Sequence, residues 1–273
     1  MRTNIPKESF TANSFIRLKD NNWLEKYRVA GHVTAGTLSL LEQEVKTGTT
    51  KSLLELDKLA ETYIRDNGCT PTFLMYKGFP NSVCVSTNRQ LVHGIPTNYH
   101  LQEGDIVSFD LGATYQGAIG DSAITMIYGQ PKSERHLRLI EATQEALMRS
   151  IQTIEVGKRL GAIGNAIYKC AKGHGLSVVE KYGGHGIDTA PDGTGIPHAA
   201  PFVPNKSNAN EGIRAQVGMI LAIEPLFVLG HSNRTITDND GWTVSCDDLC
   251  SHHEHTVFIH EDRIEILTDR SKL

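Results

Sequence analysis

Two aspartates stand inside apolar runs of one stretch of this chain, where carboxylates can bind metal ions. The stretch, residues 101–128, reads L-Q-E-G-D-I-V-S-F-D-L-G-A-T-Y-Q-G-A-I-G-D-S-A-I-T-M-I-Y. Two apolar runs around a short, glycine-bearing connection are typical of a β-hairpin. With the turn centred on Tyr115 and Gln116, Asp110 would face Asp121 across the two strands, at about 4.5–5.5 Å between β carbons.

Asp110 and Asp121 would repel each other in that arrangement, because two carboxylates that share a site do not both ionise readily. Divalent cations between them would remove the repulsion. The pair therefore predicts a metal site with more than one ion. The alternative is that both aspartates are solvated turn residues, but apolar neighbours flank each of them.

The second half of the chain offers four further candidates for the same site. These are His185 in G-G-H-G-I, His198 in I-P-H-A-A-P, Glu224 in L-A-I-E-P and Glu254 in H-H-E-H-T. An acid in an apolar run is rarely buried without a partner. Two aspartates, two glutamates and one neutral imidazole suit two divalent ions such as Mn²⁺, Fe²⁺, Co²⁺ or Zn²⁺. Each acid alone is more often a surface or capping residue, so the specificity lies in the joint pattern.

Composition limits the class of protein. The 273 residues suit one large domain, 1–273, with a polar, loosely held lead-in at 1–20. A net charge of −4 argues against nucleic acid as a partner. No apolar run approaches about 18 residues, which predicts no membrane span. Five cysteines without a disulfide pattern, and no secretory signal core, predict a reduced cytoplasmic protein.

Hydrophobic periodicity predicts the elements that position these candidates. Helices are expected at residues 23–45, 52–67, 133–154 and 160–171, and further strands at 82–87, 217–228, 243–246 and 256–260. The segment 183–212 is rich in Gly, Pro, Asn and Asp, which predicts a long functional loop.

Three short matches recur in the same order in the two halves of the chain. They are V-K-T-G with I-E-V-G before a helix, at 45–48 and 154–157, H-G-I, at 93–95 and 185–187, and G-D-I-V-S-F-D with G-M-I-L-A-I-E, at 104–110 and 218–224. Each half then carries a helix pair, an H-G-I turn and a strand that ends in an acid. Two such halves about a pseudo-two-fold axis would bring Asp110 and Glu224 together.

The motifs above, with K-Y-R-V-A-G, S-V-C-V-S-T-N, L-V-H-G-I-P and D-G-W-T-V, resemble the type I methionine aminopeptidases. The resemblance runs from about residue 23 to the end of the chain. It implies an α+β pita-bread fold, in which pseudo-two-fold halves form a central antiparallel sheet covered by helices. It also implies a monomer in the cytoplasm that removes the initiator methionine from peptides and nascent proteins.

The resemblance, and not the spacing alone, implies how two metal ions would be held. Asp110 would chelate one ion, Asp121 and Glu254 would bridge both, and His185 and Glu224 would complete the second. The ions would be Co, Mn, Fe or Zn, a choice that depends on availability as well as on ligands. A hydroxide that bridges them would attack the first peptide bond.

Three residues receive catalytic roles from the same resemblance. Glu224 would take and return the proton, His198 would stabilise the oxyanion, and His93 would bind the scissile amide or the departing amine. For His93 the alternative is a turn histidine that caps its own loop. Matching positions imply a pocket for the substrate side chain, although each of its members could equally be ordinary core. They are Tyr76, Phe79, Cys84 and Trp242.

Departures from the family pattern leave the first-residue preference open. His198 precedes Ala199 and Ala200 where the family usually has two glutamates, and Pro197 replaces a usual aromatic residue. Asp188 replaces a usual glycine, and Phe73 stands near a position that is commonly small. The alternatives are an aminopeptidase of shifted preference and a non-catalytic binding module. Relatives of the second kind have lost metal ligands, and this chain keeps all five.

Overall fold

Four helices pack against antiparallel sheets. The computed structural model describes residues 16–273. The helices are α1 (Asn21–Lys46), α2 (Leu53–Asp66), α3 (Glu134–Ile151) and α4 (Gly161–His174). The strands are β1 (Thr70–Pro71), β2 (Val83–Thr87), β3 (Gln90–Val92), β4 (Ile106–Tyr115), β5 (Ala118–Ile127), β6 (Ser177–Val178), β7 (Gly183–Thr189), β8 (Gly195–Pro204), β9 (Ile220–Ile223), β10 (Leu226–Val228), β11 (Thr235–Thr237), β12 (Val244–Cys246), β13 (Cys250–His252), β14 (His255–Ile259) and β15 (Ile264–Ile266).

The helix predictions are confirmed to within a few residues, because each helix has local start and stop signals. The Asp20 side chain accepts a hydrogen bond from the backbone N–H of Trp23 at the start of α1. At the start of α2, Ser52 and Glu55 form a reciprocal capping box. Among residues 16–273, none of the helices is both long enough and apolar enough to cross a membrane.

The β4–β5 hairpin exists, but its register differs from the prediction. Tyr115 pairs with Ala118, so the two turn residues are Gln116 and Gly117, with φ of +48° and +84°. Two positive φ angles match the tight turns that suit strand twist. Asp110 therefore faces Ala123, and the prediction that it faces Asp121 directly is wrong.

Both aspartates nevertheless share one face of the hairpin. Moving the turn by one residue shifts the cross-strand partner of each residue by two positions. Because side chains alternate between the two faces with a period of two, each side chain keeps its face. Asp110 and Asp121 are therefore diagonal neighbours, at about 7–8 Å, rather than directly opposite residues. That separation leaves more room for ions between the carboxylates.

The predicted loop at 183–212 is wrong, since much of it forms β7 and β8. These strands belong to a five-stranded sheet in the order β15-β14-β9-β7-β8. Two glycines of β7 serve close backbone approach rather than a turn. A β carbon on Gly184 would collide with the carbonyl oxygen of Ala222, and one on Gly186 with that of Ala200.

The predicted internal symmetry is confirmed for the helix pair in each half of the chain. It is wrong for the second H-G-I segment, which does not form a turn. His93 follows β3 in a left-handed conformation, with φ of +58°, whereas His185 lies within β7. The predicted strand at 217–228 is interrupted at Glu224 and Pro225, so β9 and β10 enter different sheets. Glu224 therefore stands just after the end of β9.

A four-stranded sheet, in which β4 pairs with β1, β2 and β5, meets the five-stranded sheet at Asp121 and Glu254. Asp121 N–H donates to Thr256 Oγ1 at 2.9 Å, and that hydroxyl donates to the Asp121 carbonyl at 2.7 Å. Glu254 N–H donates to the Ala123 carbonyl at 2.9 Å. One apolar core lies between α1, α2 and the first sheet, and another between α3, α4 and the second. The helices thus cover the sheets and leave the acids at the junction.

The predicted lead-in at 1–20 falls largely on residues 1–15, which lie outside the described residues. Its end is anchored rather than loose. Lys19 N–H donates to the Gly218 carbonyl at 2.8 Å. Its ammonium pairs with Asp188 and donates to Thr189 Oγ1 at 2.9 Å, and the Lys19 and Asp188 side chains are 3% and 8% exposed. The residue that departs from the family glycine, Asp188, thus has a buried cationic partner.

Candidate metal centre

Three acids, one within β5, one just after β9 and one between β13 and β14, surround one imidazole nitrogen. Nε2 of His185 lies 3.9 Å from Asp121 Oδ2, 3.8 Å from Glu224 Oε1 and 3.9 Å from Glu254 Oε1. These separations are too long for hydrogen bonds. Two ligand atoms that are each about 2.0–2.2 Å from one ion lie roughly 3–4 Å from each other. The spacing is therefore that of ligands around a metal.

Burial makes these acids costly without a cation. Asp110, Asp121 and Glu254 are 9%, 1% and 2% exposed. Within residues 16–273, Oδ1 of Asp110 and Oδ1 of Asp121 are buried and have no hydrogen-bond partner. Buried carboxylates are normally paired or coordinate metals. The donor set and its unpartnered oxygens therefore fit divalent ions.

The acids also shift one another's protonation. Burial raises the pKa of Asp110 to about 7, with Glu224 adding to the rise and His252 opposing it. Burial, followed by the charge of Asp110, raises the pKa of Asp121 well above its usual range. Burial, followed by the charge of Asp121, likewise raises the pKa of Glu254. A bound cation would reverse these shifts, because it favours the charged carboxylates.

Sequence reasoning missed His252, a buried histidine of this cluster. Its Nε2 lies 3.4 Å from Glu224 Oε2 and 3.8 Å from Glu254 Oε2. Burial would raise the pKa of Glu224, but the neighbouring His252 holds it below its usual value. The signal was available, because His252 stands two residues before Glu254 and H-H-E-H is an unusual run for an interior.

We expect His252→Leu to lower kcat/KM about 10- to 100-fold, because outer partners orient the residues that bind metals. His252→Gln should retain most of the activity, since an amide can still donate to Glu224. Steady-state kinetics at saturating Mn²⁺ measures both variants. Wild-type kcat/KM in His252→Leu would show that the imidazole has no positioning role.

His198 and His93 lie beside the acid cluster. The His198 ring centroid is 4.5 Å from that of His185, and its Nδ1 is 3.4 Å from the Tyr76 hydroxyl. Burial lowers the pKa of His198 well below its usual value, and His185 and His93 lower it further. His198 is therefore neutral at pH 7. The His93 ring stands edge-on to Tyr182 at 6.0 Å.

The predicted pocket residues divide into two groups. Phe79, Cys84 and Trp242 form an apolar cluster with Phe73, and the Phe79 and Trp242 rings meet at 5.3 Å. Cys84 pairs with Asp110 across β2 and β4, so the cluster adjoins the acids. Tyr76, the remaining predicted member, lies against His198 instead. Phe73 is 7% exposed and adds bulk to the cluster.

Known proteins resemble this chain over nearly its full length. A model of metallopeptidase family M24 matches residues 25–261. A methionine aminopeptidase from Mycoplasma capricolum is 40% identical over 255 residues, which cover 93% of this chain and 98% of that protein. Methionine aminopeptidase 1 from Bacillus subtilis is 41% identical over 244 residues, which cover 88% of this chain and 94% of that protein. The crystal structure of a methionine aminopeptidase from Thermotoga maritima aligns with a TM-score of 0.86 at 35% identity, covering 93% of this chain and all of that one.

Proposed function

Because the chain belongs to metallopeptidase family M24, we propose that it is a dinuclear aminopeptidase that removes the N-terminal methionine of peptides and nascent proteins. It is a metallo-aminopeptidase with the pita-bread fold. The observation that supports the proposal most directly is the approach of Asp121, Glu224 and Glu254 to Nε2 of His185. We take 1–273 as a single catalytic domain that acts as a monomer in the cytoplasm.

Five residues would hold two divalent ions of Co, Mn, Fe or Zn. They are Asp110, Asp121, His185, Glu224 and Glu254. When bound, such ions lower the pKa of water and polarise the carbonyl of the first peptide bond. The chain would place that carbonyl by holding the α-amino end of the substrate beside the acids and its side chain in the apolar cluster.

The remaining chemistry belongs to the side chains themselves. Glu224 is a carboxylate at neutral pH, since its pKa is lowered, and can accept and return the proton of the attacking water. Neutral His198 can donate a hydrogen bond to the carbonyl oxygen as negative charge develops there. His93 can bind the amide nitrogen and the amine that departs.

The first-residue preference would come from Phe79, Cys84, Trp242 and Phe73. A methionine thioether suits such a cluster, because it is flexible and makes favourable contacts with aromatic rings. A shifted preference is the second candidate, since Ala199 pairs with Gly186, next to His185. A pocket discriminates by about 1–3 kcal/mol per methylene, so small changes in lining residues matter.

We expect release of methionine from Met-Ala-Ser with added Mn²⁺ or Co²⁺, about tenfold or more faster than release of alanine or leucine from matched peptides. Chromatography of the freed amino acid measures each rate. N-acetylated Met-Ala-Ser is the control and should not be cleaved, because it lacks the free amine. Faster release of another residue would support the shifted preference, and no release with any metal would refute both. If no residue is released, a purified protein that contains no bound metal would indicate a non-catalytic binding module.

A further inference from the structure

A second group of metal-binding side-chain types lies on α3 and α4, which carry none of the five proposed ligands. Glu145 lies on α3, and Cys170 and His174 lie on α4. One ligand atom of each residue lies within 4.8 Å of the other two. Cys170 and His174 are four residues apart, so they share one face of α4.

The contacts of this group leave ligand atoms available. Nε2 of His174 lies 2.8 Å from Glu145 Oε2, while its buried Nδ1 has no hydrogen-bond partner in the part of the chain that the structure describes. Cys170 is 4% exposed, and its thiol donates a weak hydrogen bond to the Ala142 carbonyl at 3.6 Å. Arg149 pairs with Oε1 of Glu145, so Oε2 is the oxygen that faces the imidazole.

A thiol, an imidazole and a carboxylate form a different donor set from the acids of the candidate metal centre. Thiolate and imidazole select softer ions such as Zn²⁺, whereas carboxylate-rich sites suit harder ones. We propose that Glu145, Cys170 and His174 bind one thiophilic divalent ion, such as Zn²⁺, at a site separate from the proposed catalytic ions. Three protein ligands leave the fourth tetrahedral position to water.

Binding at this site would exchange protons for the ion. The Cys170 thiol loses its proton to solvent, and its sulfur forms the bond to the metal. Burial, with Glu145 adding to it, raises the pKa of the Cys170 thiol, so without an ion the thiol stays protonated. The ion would replace the direct Glu145–His174 contact and join α3 to α4 through its own bonds. The alternative is that the Glu145–His174 ion pair alone joins the helices.

Cadmium titration of the full chain distinguishes the two, because the sulfur-to-cadmium charge-transfer absorption reports thiolate ligands. Excess Mn²⁺ is present for the acid cluster. Cys84→Ser removes the thiol that pairs with Asp110, and Cys246→Ser breaks the pair of neighbouring thiols formed by Cys246 and Cys250. In this background we expect absorption that saturates at one equivalent of Cd²⁺. Adding Cys170→Ser should abolish it. Adding Cys69→Ser, an equally buried thiol at 4% exposure, should leave it unchanged.

A second arm keeps the thiol in place. His174→Gln or Glu145→Gln, in the same background, should weaken Cd²⁺ binding at least about tenfold, since even outer partners of a metal cost 10- to 100-fold. Both side chains are partly exposed, at 29% and 33%, so these variants should fold. Absorption that persists in Cys170→Ser, or Cd²⁺ affinity within about twofold of the background in His174→Gln, would overturn the proposal.

Discussion

Replacing Asp121 by asparagine should lower kcat/KM for methionyl peptides by about 10³-fold or more, equivalent to ~4 kcal/mol of transition-state stabilisation. Oδ2 of Asp121 lies 3.9 Å from His185 Nε2, where its carboxylate would bind an ion, and a neutral amide of the same size binds a divalent ion far less well. The same change should leave the metal-free protein as stable as wild type or more stable. It removes a buried group whose charge is opposed by Asp110 and Glu224.

The Asp121→Asn variant should therefore lose activity without losing stability. Activity is measured with Met-Ala-Ser at saturating Mn²⁺, and stability by denaturant unfolding after dialysis against chelator. The matched control is Asp57→Asn. Asp57 is also buried, but it accepts from the backbone N–H of Ser82 and Val83, both at 2.9 Å. This control should lose about 1–3 kcal/mol of stability and keep wild-type kcat. Asp121→Asn with wild-type activity would exclude Asp121 as a ligand.

Removal of metal should make the protein less stable as pH rises, which is opposite to the usual behaviour of carboxylates. The pKa of Asp110 is about 7 in the folded chain and its ordinary value is 3.8, because the carboxyl is buried. The folded state thus holds a proton that the unfolded state releases. The stability is fully present below the ordinary pKa and is lost as pH rises through about 7. For Asp110 alone this corresponds to about 4 kcal/mol.

The other carboxyl groups act in the same direction, whereas His198, His253 and His255, whose pKa values are lowered by burial, act in the opposite direction below their ordinary value of 6.5. The pKa values of Asp121 and Glu254 are also raised, and that of Glu224, which is lowered, matters only at lower pH. We expect the Tm of the metal-free protein to fall on the order of 5–10 °C between about pH 6.5 and about pH 8.5, where these histidines are neutral in both states. Added Mn²⁺ should reverse the slope, because ions bind the deprotonated ligands. Calorimetry at several pH values, with and without metal, tests this. A metal-free Tm that rises with pH would contradict it.

The sequence was informative wherever one local rule decided the structure. Asp110 and Asp121 were expected on one face of a hairpin, and they are, although the turn is displaced by one residue. The displaced turn does not change which face the two side chains occupy, because it shifts each cross-strand partner by two positions and side chains alternate every second residue. The exact partner of Asp110 could not be predicted, since it depends on whether Gln116 adopts a positive φ, which it does at +48°.

The sequence was misleading wherever one residue type has two structural uses. Glycines at 184 and 186 suggested a loop, but they permit a neighbouring backbone to approach β7. Periodicity does not distinguish these uses, because the approaching carbonyls belong to residues 38 and 14 positions away along the chain. His252 was missed for a related reason. Its contact with Glu224 exists only once β13 and the end of β9 are brought together.

The junction between the two sheets also determines when the proposed catalytic centre can first exist. Asp121 and Glu254 are joined through Thr256 and Ala123, and 133 positions of sequence separate the two acids. Domains fold as the chain emerges during synthesis. A growing copy of this protein would therefore stay inert at least until residue 254 is made, and a product truncated before that residue would lack hydrolytic power however well its first half folds.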